Sequence, residues 1–81
     1  MIFIKLDTLD TASNLTRVCE KYKGDMSIDV LYGRYIVDGR SILGVTSLLG
    51  NIVRIDPITC DHELIEDFTK EVKKIGAWII G

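Results

Sequence analysis

Histidine occurs once in this chain, proline once and cysteine twice, so several common routes to catalysis are thin from the outset. Cys19 and Cys60 lie far apart and fit neither a CxxC pair nor a metal-ligand spacing. No metal and no cofactor is expected. The start, Met1–Asp7, is broken by Lys5 and Asp7 too early for a signal peptide. No apolar run approaches the roughly 20 residues of a membrane span. Cytoplasmic residence is the default expectation, and both cysteines are then expected as reduced core thiols rather than a disulfide. Charge of one sign is also lacking: 10 Lys+Arg stand against 12 Asp+Glu, a net −2. Neither nucleic acid nor an anionic membrane is therefore expected as a partner. Without a repeated segment, seven glycines and one proline exclude collagen-like, low-complexity and solenoid architectures.

What is present is an ordinary globular balance, 47% apolar and 27% charged over 81 residues. That length makes one domain, spanning residues 1–81. A chain this short buries only about 60% of its unfolded surface, which leaves little apolar area to wall a deep pocket. A binding or carrier module is expected, not an enzyme.

Periodicity divides the chain into seven elements. Ile2, Ile4 and Leu6 alternate with Phe3, Lys5 and Asp7, the two-residue period of a half-buried strand. Asp10 or Thr11 is the expected cap of a first helix, whose Ala12, Leu15, Val18, Cys19 and Tyr22 share a face while Asn14, Arg17, Lys21 and Lys23 point away. Gly24 is suited to stop it. Met26, Ile28 and Val30 alternate next, then Tyr35 and Val37, and the intervening Tyr32-Gly33-Arg34 reads as a hairpin turn. Ser41 before Ile42–Leu49, with Gly50 after, predicts a helix of about two turns. Residues 51–58 alternate as a fourth strand, in which Pro57 marks an end or an edge. Leu64, Ile65, Phe68, Val72 and Ile75 trace one face of a last helix capped by Asp61 and ended by Gly76. Its acidic first half and basic second half suit the helix dipole, and Glu66 and Lys70 have ion-pair spacing. The apolar tail Ala77–Ile80 is expected to pack back on the domain or on a neighbouring chain, which allows a homodimer. The order β-α-β-β-α-β-α predicts the α+β class: a four-stranded antiparallel sheet with three helices on one face.

Within this order, the stretch from Tyr35 to Leu48, centred on Arg40-Ser41-Ile42-Leu43-Gly44, resembles the middle of the HPr family. These are phosphocarriers of the bacterial sugar phosphotransferase system. The resemblance extends over most of the chain, with Gly24 and Ile28–Val30 also in register. It implies an open-faced β-sandwich, with Ser41 at the position of a regulatory serine. Arg40, Ile42, Leu43, Val45 and Leu48 then form a surface that docks onto protein partners: a phosphotransferase-system component, a kinase or a regulator. The family carries phosphate on a histidine at the start of the first helix, in a His-Thr-Arg-Pro type of segment. Here Asp10 and Thr11 stand at or near that position, within Asp10–Ser13, and neither an imidazole nor an adjoining arginine is present. An imidazole nitrogen is nucleophilic near neutral pH, and an arginine holds transferred oxygens. Without them the resemblance implies a regulatory or interaction module that lacks histidine phosphotransfer.

Each of these residues also has a plainer role. Ser41 is a good helix cap whether or not a kinase modifies it. Arg40 reads as a solvated charge at a strand end, His62 as a surface residue, and Tyr22, Tyr32 and Tyr35 as core or sheet-face residues. The alternative for the chain as a whole is a small-molecule-sensing regulatory domain of ferredoxin-like build, which requires two helices of similar length.

Overall fold

The computed structural model describes all residues, Met1–Gly81. Its elements are β1 (Ile2–Lys5), α1 (Leu9–Glu20), β2 (Ser27–Tyr32), β3 (Tyr35–Asp38), α2 (Ile42–Thr46), β4 (Ile52–Ile58), α3 (His62–Lys74) and β5 (Trp78–Ile79). The strands form one open sheet in the order β3-β2-β4-β1-β5, and every pairing is antiparallel. The sheet therefore has five strands, not the four expected. The tail does pack back on its own domain, and it does so by backbone pairing: Ile2 faces Ile79, and Phe3 faces Trp78. A two-residue strand bounded by Gly76 leaves too short an alternation to be read as a period.

Alternation along the strands sends Ile2, Ile4, Ile28, Val30, Val53 and Ile55 to one face, and register stacks them as Ile2–Ile55–Val30 and Ile4–Val53. All three helices close over that face. Ala12, Leu15, Val18 and Cys19 come from α1, Val45 from α2, and Phe68 and Val72 from α3, joining the strand residues in a single core cluster. Tyr22, just beyond the end of α1, packs edge-on against Phe68 at 5.4 Å, and its hydroxyl donates to Asp67 at 2.6 Å. Burial and that carboxylate push the Tyr22 phenol well above its ordinary range. No helix is long and apolar enough to cross a membrane.

Several boundaries differ from those read in the sequence. The cap of α1 is Thr8, whose hydroxyl accepts from the Thr11 N–H at 3.3 Å, so Asp10 and Thr11 lie inside the first turn. Leu9 faces solvent at 59% exposure, and this hid the first turn from a pattern that begins at Ala12. After Glu20 the chain passes through tight turns to Gly24, whose φ of 86° needs a glycine. Helix α2 is only five residues long. Pro57 is paired to β2 where β1 no longer reaches, an edge position that tolerates its missing N–H. The expected Glu66–Lys70 pair is replaced by Glu71, which holds Lys21 at 3.0 Å and Lys74 at 2.9 Å.

Cys19 is buried and free, and Cys60 is free but exposed, so only one of the two is a core thiol. Burial, aided by the charge of Asp38, pushes the Cys19 thiol up to about 12. The thiolate is the reactive form. A disulfide-exchange reagent at mildly alkaline pH should therefore titrate one thiol in the native protein, at Cys60, and two after denaturation.

Candidate functional site at the strand–helix junction

The turn from β3 into α2 is built by Asp38 and Gly39. The Asp38 carboxylate accepts the Arg40 backbone N–H at 2.8 Å, and the Arg40 guanidinium lies 3.5 Å from both of its oxygens. The Asp38 backbone carbonyl accepts the Ser41 N–H at 3.0 Å. The Arg40 backbone N–H foremost, with its guanidinium, holds the Asp38 carboxyl below the usual carboxylate range. Gly39 roots the turn in the core: its N–H donates to the Ile28 carbonyl at 2.8 Å. A Cβ at this position would lie 2.9 Å from Cys19 Sγ and 3.0 Å from Ile28 Cγ2. The Asp-Gly pair is a turn signal that could have been read from the sequence.

Ser41 has an extended backbone, and its Oγ accepts the Gly44 N–H at 3.1 Å, capping α2 while remaining exposed. Gly44 is held close as well, since a Cβ there would meet Val37 Cβ at 3.0 Å. The docking residues separate into two groups. Leu43 is 82% exposed and Ile42 42%, whereas Val45 at 0% and Leu48 at 5% belong to the core. Val45 and Leu48 are thus removed from the expected surface, because so short a helix turns one side fully inward. Leu49, at 38%, joins the exposed group.

Arg40 and Ile42 also line a cleft of about 500 Å³ with Ser13, Thr16, Arg17, Glu20 and Lys21 of α1 and its end. Arg17, on the polar side of α1 as expected, makes no ion pair and lines this cleft with Arg40. Amphipathic pattern alone could not show that the polar side of α1 borders α2. The start of α1 carries Thr8, an exposed Asp10 and a half-buried Thr11. The single histidine, His62, is exposed at the start of α3.

An open antiparallel sheet covered on one face by three helices, with a capped short helix after its outer hairpin, defines an HPr-like α+β fold. The crystal structure of HPr-C-His from Thermoanaerobacter tengcongensis superposes with a TM-score of 0.66 over 93% of each chain, at 19% sequence identity. No protein-family model and no curated protein matches the chain. The likeness is one of fold.

Ser41→Ala removes the cap and should lower stability by about 1 kcal/mol in denaturant titrations. Gly39→Ala overpacks the Cys19 contact and should cost about 1–3 kcal/mol in the same assay. Asp38 titrates below its unfolded value of about 3.9, so its contribution to the turn is complete above that pH and lost as pH falls through the depressed folded value. Because Asp38 is half exposed, that contribution is small. An NMR titration of the carboxyl should show the depressed midpoint, and its displacement should shrink in Arg40→Ala.

Proposed function

We propose that this chain is a regulatory or protein-interaction module of the phosphotransferase-system type, controlled at Ser41 and without histidine phosphotransfer. The observation that carries the reading is the exposed Ser41 cap of a helix that also exposes Ile42 and Leu43, with Ile42 lining a cleft together with Arg40 and Arg17. Exposed apolar side chains grouped this way suit a protein partner, here a phosphotransferase-system component, kinase or regulator. Ser41 Oγ attacks the γ-phosphorus of ATP in a kinase, loses its proton, and the bond to ADP breaks. The product adds nearly two negative charges next to the docking patch. Arg40 adjoins Ser41 in the chain and shares its cleft with Arg17, which places positive charge on this side of the docking surface. Cytoplasmic residence belongs to this reading.

The absence of a carrier histidine from the first turn of α1 supports the second half of the proposal. Thr8, Asp10 and Thr11 offer no nucleophilic ring nitrogen. The ferredoxin-like alternative gains no support from α2, whose five residues are far from the 12 of α1. A homodimer that uses the apolar tail has Trp78 and Ile79 already paired to β1, so association would run through the sheet that the tail has joined.

Incubation with ATP and an HPr-type serine kinase should label the wild type, and Ser41→Ala should abolish the label. Incubation with phosphoenolpyruvate and enzyme I should give none. Label from phosphoenolpyruvate would overturn the reading, and absence of label from ATP would remove its regulatory half. Leu43→Asp, at a solvent-exposed position, should leave the melting temperature within a few degrees of wild type while weakening kinase recognition at least tenfold in Kd.

A further inference from the structure

The sheet face turned away from the helices is not the polar surface that a one-sided sheet ordinarily offers to water. Register sets Trp78, Phe3, Arg54, Leu31 and Ile36 side by side, one from each strand, in a single row across it. Trp78 stacks on Phe3 with ring centroids 6.3 Å apart. Ile52, two residues before Arg54 on β4, widens the stripe, and a depression of about 270 Å³ opens between Phe3, Leu31, Ile52 and Arg54. Ile36 and Ile52 are 63% and 50% exposed, so this apolar surface stands in water.

Charge flanks the stripe unevenly. On one side Asp56, Asp29 and Asp38 are paired directly across β4, β2 and β3. Like charges in that arrangement repel, and of the three only Asp38 has an ion-pair partner, Arg40. The other side is basic. Lys5 lies opposite Ile52, Arg34 stands in the hairpin turn, and Arg54 sits in the row itself. None of these three cations is in an ion pair within the chain.

We propose that this face is the interface of a homodimer, two copies packed sheet to sheet about a two-fold axis that runs along the apolar row. Such an axis places the row against its own image and reverses strand direction between the sheets. The acidic flank of each copy then lies over Lys5 and Arg34 of the other, while Arg54, on the axis, meets its own image with Asp56 of the second copy alongside. Arg54 and Lys5 reach toward Asp56 of the second copy, and Arg34 toward its Asp38. An axis along the strands would instead set Asp56 against Asp56. A wholly basic partner would meet Lys5, Arg34 and Arg54, and a wholly acidic one the three aspartates, whereas a second copy satisfies both flanks. Five strands about 4.8 Å apart and averaging roughly 15 Å in length give a face on the order of 400 Å² per copy, at the smallest end of specific interfaces, so the dimer is weak and reversible.

Sedimentation equilibrium over a concentration series reaching roughly millimolar tests this, since the range brackets weak association. The wild type should follow a monomer–dimer equilibrium, and Leu31→Asp with Ile36→Asp should be monomeric at every concentration, with a native circular-dichroism spectrum. Arg54→Asp and Asp56→Arg should each weaken the dimer at least tenfold, and the double reversal should restore it. A wild type that remains monomeric, which would leave the face to a different protein, overturns the proposal. So does a dimer that survives Leu31→Asp with Ile36→Asp, or a double reversal that fails to recover what each single change loses. None of these outcomes involves Ser41, so the result stands apart from the reading of that residue.

Discussion

The constraint from which the rest follows is that one apolar layer holds the whole molecule. Eighteen buried side chains form one cluster between the helices and a single face of the sheet, and no polar or charged residue is buried. Buried apolar area is the main favourable term in folding, and a chain this short has only one place to put it. Apart from the Cys19 thiol and the Tyr22 ring, the chemically distinctive groups are thereby driven to the rim or to the uncovered face. No deep pocket forms, because walls for one would have to come from the same side chains that close the core. Function, where it exists, must be written on the surface.

The strand–helix junction shows how a rim position can still be firmly placed. Ser41 is exposed and Arg40 half-buried, yet the residue before them has no room for a side chain against Cys19 and Ile28. The chain therefore leaves the core at a fixed point and in a fixed direction, and Asp38 folds the backbone back on itself through the Arg40 N–H. The cap on α2 follows from that placement. A five-residue helix has little cooperativity of its own, so it depends on the Ser41–Gly44 bond, on Val45 in the core and on Thr46, whose hydroxyl bonds back to the Ile42 carbonyl at 2.7 Å. A phosphate at Ser41 would act on a marginal element, where a small energetic change has a large structural effect.

Most of the architecture was legible because period and burial coincide. The strand alternations from Ile2, Met26, Tyr35 and Asn51, the α1 face from Ala12 to Tyr22, and the caps at Ser41 and Asp61 all depend on local chemistry that neighbours in sequence supply. What escaped reading depends on distance. β5 exists only because β1 offers a free edge to Trp78 and Ile79, and no period of two residues announces that. Val45 and Leu48 could not be separated from Ile42 and Leu43 without knowing that α2 is one short turn laid against the sheet. The cleft that joins Arg17 to Arg40 arises where α1 meets α2, and the row from Trp78 to Ile36 arises from register among five strands. Neither has a signature along the chain. The Asp38-Gly39 turn is the exception, a signal carried by two adjacent residues.

The two ends of α1 are held by separate contacts. The start of α1 is closed by Thr8, whose hydroxyl bonds the Thr11 N–H and so performs the capping that any residue there must perform. A different side chain here would add nothing that the core requires, since Leu9, Asp10 and Thr11 lie outside the buried cluster. The contact that positions Ser41 is made at Cys19, ten residues further along the helix, about 15 Å at helical rise. Loss of one site therefore costs the other neither packing nor hydrogen bonds. The two ends of α1 are separable in energy, so the chemistry of the first turn can vary while the capped, exposed α2 beside the second end is kept.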